Sequence, residues 1–188
     1  MGSNPAVVEM FSRAFETVAG IAHTARTDAD IAHIVGTIAR EKQARRIALA
    51  GLDTGVAAAI VAECSGIEVL SQPYPADTLP AAIDQAQVGV TGISFGIAQT
   101  GTLVEVSTND AVRLVSALPR THIGIVRASE LVECYEDAAP RIRALFAENP
   151  AACVVSFMSG PSRTGDIELK LTLGVHGPES AHAIVVLD

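Results

Sequence analysis

Cys153 to Pro178 reads CVVSFMSGPSRTGDIELKLTLGVHGP. A run rich in valine and phenylalanine (Val154, Val155, Phe157, Met158) stops at Ser159-Gly160-Pro161. Small hydroxyls, one arginine and two acids follow: Ser162, Arg163, Thr164, Asp166 and Glu168. The apolar run predicts a buried strand, and the break predicts its mouth. In open α/β sheets ligands sit just outside the carboxyl ends of strands, where backbone N–H groups and short side chains can reach them. The sequence therefore points to a functional site at this mouth.

Outward from this stretch, strands and helices alternate. Residues 46–51, 67–70, 87–92, 102–107, 121–127 and 182–187 read as strands, and 54–64, 76–86, 110–118 and 130–147 as helices, the last kinked or divided by Pro140. Near the N-terminus Val7, Val8, Phe11, Phe15, Val18, Ile21 and Ala22 approach i, i+3, i+4, i+7 spacing, which predicts one amphipathic helix over residues 5–26. Asp28 or Asp30 caps a second helix with the stripe Ile31, Ile34, Val35, Ile38. Residues 1–42 thus read as a helical segment ahead of an α/β domain over 43–188, the two forming one structural unit. The alternation implies a largely parallel sheet with helices on both faces. Gly51 and Gly55 stand alone rather than in G-x-G-x-x-G, so a dinucleotide-binding fingerprint is lacking.

Composition narrows the function classes. Thirteen Lys and Arg against 21 Asp and Glu give a net charge of −8, which disfavours nucleic acid and anionic membrane surfaces as partners. No apolar run reaches the roughly 18 residues that span a bilayer, and the N-terminus lacks a basic stretch before an apolar one, so a cytoplasmic protein is expected. Cys64, Cys134 and Cys153 are widely spaced and too few for an iron–sulfur cluster, which takes four thiolates; no cluster and no metal are expected in this chain.

Several residues carry candidate chemistry. In Thr100-Gly101-Thr102 a glycine between hydroxyls lets backbone approach a ligand, although a tight turn alone explains the same tripeptide. Ser159, Gly160, Ser162, Arg163 and Thr164 set a guanidinium among hydroxyls, as a carboxylate or phosphate requires; the alternative is an internal pairing of Arg163 with Asp166 or Glu168. Those two acids can act as general base or favour the start of a short helix electrostatically. His176, between glycines in Gly174-Val175-His176-Gly177-Pro178, can shuttle a proton. His122 is the weaker histidine candidate, and His23 and His33 are expected on helix surfaces. Ser94 lies in Gly92-Ile93-Ser94-Phe95-Gly96 without an evident strand-to-helix turn, which argues against a serine hydrolase.

Ser159 to Glu168, followed by Leu173 to Pro178, resembles the C-terminal motif of the lactate-utilisation protein C family, the LUD domain. Gly92 to Val104 (GISFGIAQTGTLV) resembles a second family segment. The resemblance spans roughly residues 45–188. It implies the fold shared by sugar-phosphate isomerases, CoA transferases and 5-formyltetrahydrofolate cyclo-ligase, called NagB/RpiA/CoA transferase-like. It further implies a subunit of a system that oxidises L-lactate to pyruvate with iron–sulfur partner proteins, this chain binding a small carboxylate or phosphate through Thr100, Gly101, Thr102, Ser159, Gly160, Ser162, Arg163 and Thr164. His176, Asp166 or Glu168 would then move a proton. Relatives often carry an acid before the Thr-Gly-Thr turn, where this chain has Gln99. Two other classes remain open: a stand-alone enzyme with CoA-transferase-like or sugar-phosphate-isomerase-like chemistry, and a ligand-sensing module without catalysis.

Overall fold

The computed structural model describes residues 4–150, 153–164 and 172–187. In chain order the elements are α1 (Pro5–Thr17), β1 (Ile21–Ala25), α2 (Asp28–Glu41), β2 (Arg46–Ala50), α3 (Thr54–Glu63), β3 (Glu68–Ser71), α4 (Ala81–Asp84), β4 (Val88–Gly92), β5 (Phe95–Ile97) and β6 (Thr102–Ser107). There follow α5 (Asp110–Ala117), β7 (Thr121–Arg127), β8 (Leu131–Val132), α6 (Tyr135–Glu148), β9 (Val154–Met158), β10 (Arg163–Thr164), β11 (Thr172–Leu173) and β12 (Ser180–Val186).

Six strands form one sheet in the order β1-β12-β7-β4-β2-β3, and every pairing in it is parallel. Alternation along the strands sends side chains to two covered faces. Ile47 and Leu49 of β2, with Val88, Val90, Ile123 and Ile184, pack under α2 and α3 through Ile31, Val35, Ile38, Val56 and Ile60. Ala48 and Ala50 face the other way, onto α4 and α5 through Ile83, Val112 and Val115. Burial on both sides explains why β2 reads as a continuous apolar run over Ile47–Ala50 and why β4 and β7 are mostly apolar. Each fully buried Ile or Leu contributes about 1.5–3 kcal/mol relative to exposure, so this core dominates the stability of the layer. The fold is thus α/β, a parallel sheet flanked by helices.

Two features depart from the sequence reading. Residues 5–26 are not one helix. Gly20 turns the chain so tightly that a Cβ there would lie 2.4 Å from Phe15 Cδ1, and residues 21–25 leave as a strand paired to β12. The first 42 residues therefore supply the sheet's edge strand as well as two helices, and His23, expected on a helix surface, stacks on His182 with ring centroids 5.4 Å apart. The second departure is a separate sheet in the order β8-β5-β6-β9, with β6 antiparallel to both β5 and β9. It packs against α6 through Phe95, Ile97, Val104 and Ala138. Its other face meets the parallel sheet at Gly124, where a Cβ would lie 2.6 Å from Leu103 Cδ1.

After Arg163 the sequence reads either as a strand, through the alternation of Ile167, Leu169, Leu171 and Leu173, or as a short helix opened by the acids behind the Ser/Thr cluster, the helix being the preferred reading. Residues 165–171 lie outside the described ones; on either side of them β10 and β11 pair antiparallel.

Candidate functional site

β9 belongs to the small sheet, so the mouth at Ser159 does not open at the carboxyl ends of the parallel strands. It opens toward their amino ends, where β7 starts at Thr121 and β12 at Ser180. There Phe15, Leu103, Arg113, Ser116, Ala117 and His122 meet residues 156–162, 176–178 and 181 around a cavity of about 380 Å³.

Local geometry accounts for the wall. Gly160 has φ +76°, and a Cβ on it would lie 2.2 Å from the Val18 carbonyl oxygen, so only glycine lets this turn dock on the end of α1. The Ser162 N–H donates to the Pro178 carbonyl (2.8 Å), and the Gly174 N–H to the Ser162 carbonyl (3.0 Å). These bonds hold the His176-Gly177-Pro178 turn beside Ser162. Gly101, with φ +58°, seats the Thr-Gly-Thr turn directly on the backbone of Ala14 and Phe15. The two motifs then meet through hydroxyls: Thr100 Oγ1 lies 2.7 Å from Thr102 Oγ1, which lies 2.7 Å from Ser159 Oγ.

Of the sequence-designated residues, Ser159, Gly160, Ser162 and His176 line the cavity. Thr100, Gly101 and Thr102 stand behind Ser159 and brace it without lining the space. Arg163 is elsewhere: its guanidinium donates to the Val18 carbonyl, placing a cation at the C-terminal end of α1, where the helix dipole favours one. Thr164 follows it in β10, away from the lining. Asp166 and Glu168 lie outside the described residues. The cation at the cavity is Arg113 of α5, which is paired with Asp110.

Sequence reasoning missed Glu105, and it ranked His122 below His176. Glu105 is fully buried in β6, accepts from Ser116 Oγ at 3.1 Å, and is pushed up to about 7 by desolvation, against the opposing pull of the Ser116 and Thr91 hydroxyls and of Arg113. His122 Nε2 lies 2.8 Å from Thr91 Oγ1, and burial pushes the imidazole down to about 4, with the neighbouring His182 adding to the shift. The sequence carries only a conditional signal for Glu105. It shares a strand face with Leu103, two residues earlier, so it faces inward if Leu103 does.

A second, larger cavity of about 890 Å³ lies at the carboxyl ends of β2, β4, β7 and β12. β3 flanks β2 on one side, and β4, β7 and β12 follow on the other, so the strand order reverses between β2 and β4. The crevice opens at that reversal, beside Gly51, Gly92 and Ser94, with Arg127 paired to Asp53 at 2.7 Å across its rim. A Cβ on Gly92 would lie 1.9 Å from the Gly51 carbonyl oxygen, so the two strand ends are in backbone contact there. Gln99 lines neither cavity; its Oε1 accepts from the Tyr135 N–H at 3.4 Å.

Among the described residues no three metal-ligating side chains cluster, and no helix is long and apolar enough to cross a membrane.

Comparison with known proteins agrees with this architecture. A crystal structure of a DUF162 family protein from Deinococcus radiodurans superposes with a TM-score of 0.70 at 21% identity, covering 97% of both chains, which shows the fold. Lactate utilization protein C of Shouchella clausii is 43% identical over 109 residues, or 56% of this chain and 48% of that protein. The Bacillus subtilis protein of the same name is 40% identical over 106 residues, covering 56% of this chain and 44% of its own. The Geobacillus thermodenitrificans one is 35% identical over 128 residues, covering 68% and 53%. The chain thus matches about half the length of these curated relatives. The LUD domain model matches residues 8–186, and the chain belongs to the LUD domain family.

Proposed function

We propose that this chain serves lactate utilisation in the cytoplasm by holding a small carboxylate in the hydroxyl-lined cavity, working with iron–sulfur partner proteins that carry the electrons. The observation that carries this reading is the contact between the two family motifs: Thr102 and Ser159, 57 residues apart in sequence, share a 2.7 Å hydroxyl bond at the cavity wall. Arg113 and His176 supply a cation and an imidazole at the same space. A carboxylate is well matched to a guanidinium and several O–H donors. The names of the relatives support the process, and the iron–sulfur partnership follows from the family resemblance.

The test is reconstitution. The purified chain, mixed with the iron–sulfur proteins of a lactate-utilisation system, is expected to co-elute with them and to be required for L-lactate-dependent reduction of an electron acceptor. Absence of both association and effect would overturn the proposal.

The larger cavity favours a second reading, a stand-alone enzyme acting on a phosphate-bearing substrate such as a sugar phosphate or a CoA ester, because its place at the strand reversal is where such sheets take up ligands. Turnover of such a substrate with no partner present would establish it.

A further inference from the structure

One carboxyl group, that of Glu105, lies behind the smaller cavity. Glu105 Oε1 accepts from Ser116 Oγ, while Oε2 is buried and, among the described residues, has no hydrogen-bond partner. Register sets Glu105 opposite Ser156 of β9, and Leu103 opposite Met158; Leu103, Ser156 and Met158 all line the cavity, so Glu105 lies on the cavity face of the small sheet. Ser116, the hydroxyl it holds, also lines the cavity. One side chain thus separates the carboxyl from any occupant.

The groups facing Glu105 come from four elements. α5 contributes Ser116 and Arg113, the latter already paired to Asp110; β4 contributes Thr91; β7 contributes His122, bound to Thr91; β9 contributes Ser156. Among the described residues Arg113 is the one cation in this set whose charge does not depend on pH near neutrality, and it also borders the cavity. An ionised Glu105 and an anion in the cavity would therefore compete for the same guanidinium and repel each other across one hydroxyl.

Ser116 makes that competition directional. While Glu105 is ionised it can only accept, so it draws the Ser116 O–H toward itself. A protonated Glu105 can donate to Ser116 Oγ instead. The Ser116 O–H is then free to donate either to the Arg113 carbonyl, 3.1 Å away, or to an acceptor in the cavity. Protonation therefore removes a repulsion and frees a donor.

We propose that a small monocarboxylate, of the 2-hydroxy or 2-oxo acid class, enters this cavity together with one proton from solvent, and that Glu105 carries the proton while Arg113 and the Ser116 hydroxyl meet the anion. No bond of the ligand is made or broken in this step; one anion and one proton enter. The inference rests on the anion-binding reading of the cavity and adds the identity of its proton carrier.

The test is equilibrium binding of L-lactate, followed by calorimetry on the full chain between pH 6 and 9 in two buffers of different ionisation enthalpy. Affinity is expected to fall about tenfold per pH unit above pH 7, as uptake of one proton requires. The two buffers should show heats that differ by the corresponding proton uptake. Glu105→Gln, fixed in a neutral form, should bind lactate about thirtyfold more tightly than the wild type at pH 8.5 and lose the pH slope. Wild-type binding that is flat with pH, or a slope that survives in Glu105→Gln, would overturn the proton coupling while leaving the anion site intact. Absence of lactate binding at every pH would overturn the anion-site reading itself, and the coupling with it. Should Glu105→Gln fail to fold, the two-buffer comparison on the wild type decides alone.

Discussion

The two cavities sit at opposite ends of the same parallel strands and are built differently. The larger, about 890 Å³, is shaped by backbone: Gly51 and Gly92 touch at the strand ends, and its rim carries an ion pair, Arg127–Asp53, whose side chains are 66% and 71% exposed. The smaller, about 380 Å³, is shaped by side chains, with serine hydroxyls at its wall and an imidazole and a carboxyl withdrawn from water. A parallel sheet whose strand order reverses produces the first kind of crevice from topology alone. The second kind requires another sheet to close over the amino ends of the strands, and hence requires specific residues. Size and topology favour one end, and the density of polar chemistry favours the other.

The sharpest way to break that contrast is to lift the Thr-Gly-Thr turn off α1. Gly101 combines φ +58° with a position where a Cβ would lie 2.2 Å from the Phe15 backbone nitrogen, so Gly101→Ala must both strain its own backbone and displace the helix. The expected cost is about 3 kcal/mol or more, a fall in Tm of roughly 6–12 °C for a domain of this size. Lactate affinity should fall with it, since Phe15 lines the smaller cavity. Gly66→Ala separates the two causes: Gly66 has φ +88° but no atom within 4 Å of a built Cβ, so about 1–2 kcal/mol from conformation alone is expected. Urea denaturation of both variants checks the difference. Equal costs would mean that the contact with α1 contributes nothing.

Next in size is the pH dependence of stability that the buried groups impose. His122 and His182 are each pushed down to about 4 by burial, so both are neutral in the folded chain while the unfolded chain takes up their protons below pH 6.5. Their contribution is present above pH 6.5 and is lost as pH falls toward 4. Glu105 works in the opposite sense: raised from 4.5 to about 7, it contributes stability that is complete below pH 4.5 and lost as pH rises through 7. Between pH 4.5 and 6.5 these two histidines outweigh the one acid for a net rise of about 1.4 kcal/mol per pH unit, to which the downward shift of the half-buried His23 adds, and stability should peak near pH 6.5. Glu105→Gln should steepen the rise and remove the decline above the peak. A profile for that variant identical to the wild type would show that Glu105 is not buried as described.

How much of this was legible follows from what each signal rests on. The central strands β2, β4, β7 and β12 read clearly because both of their faces are covered, which leaves runs such as Ile47-Ala48-Leu49-Ala50 unbroken by polar residues. β1 was hidden because Ile21 and Ala22 continue the helical spacing of Phe11 and Phe15, and the one interruption is the turn at Gly20. The second sheet was hidden because β5 and β8 have 3 and 2 residues, too short to show a period. At the site, the polar cluster at Ser159–Thr164 announced itself by composition, although Arg163 turned out to hold a helix end that no local pattern indicates. Glu105 did not announce itself: in Leu103-Val104-Glu105-Val106 the acid resembles the outward residue of a half-exposed strand, and only the covering α5 and parallel sheet make it buried.

The smallest expected effect tests the larger cavity. Arg127 and Asp53 are both well exposed, and a pair so solvated contributes between nothing and about 1 kcal/mol, less at high salt. Arg127→Ala should therefore leave thermal stability nearly unchanged. It should also leave L-lactate affinity unchanged, because Arg127 lines the cavity at the carboxyl ends of the strands and Arg113 the one at the amino ends. Arg113→Ala, by contrast, removes the guanidinium that borders the smaller cavity, and a charge-assisted hydrogen bond of about 1.5–3 kcal/mol predicts a loss of lactate affinity on the order of tenfold to a hundredfold. The reverse pattern, with binding sensitive to Arg127 and indifferent to Arg113, would move the anion to the strand-reversal crevice and leave the hydroxyl cluster as a brace for α1.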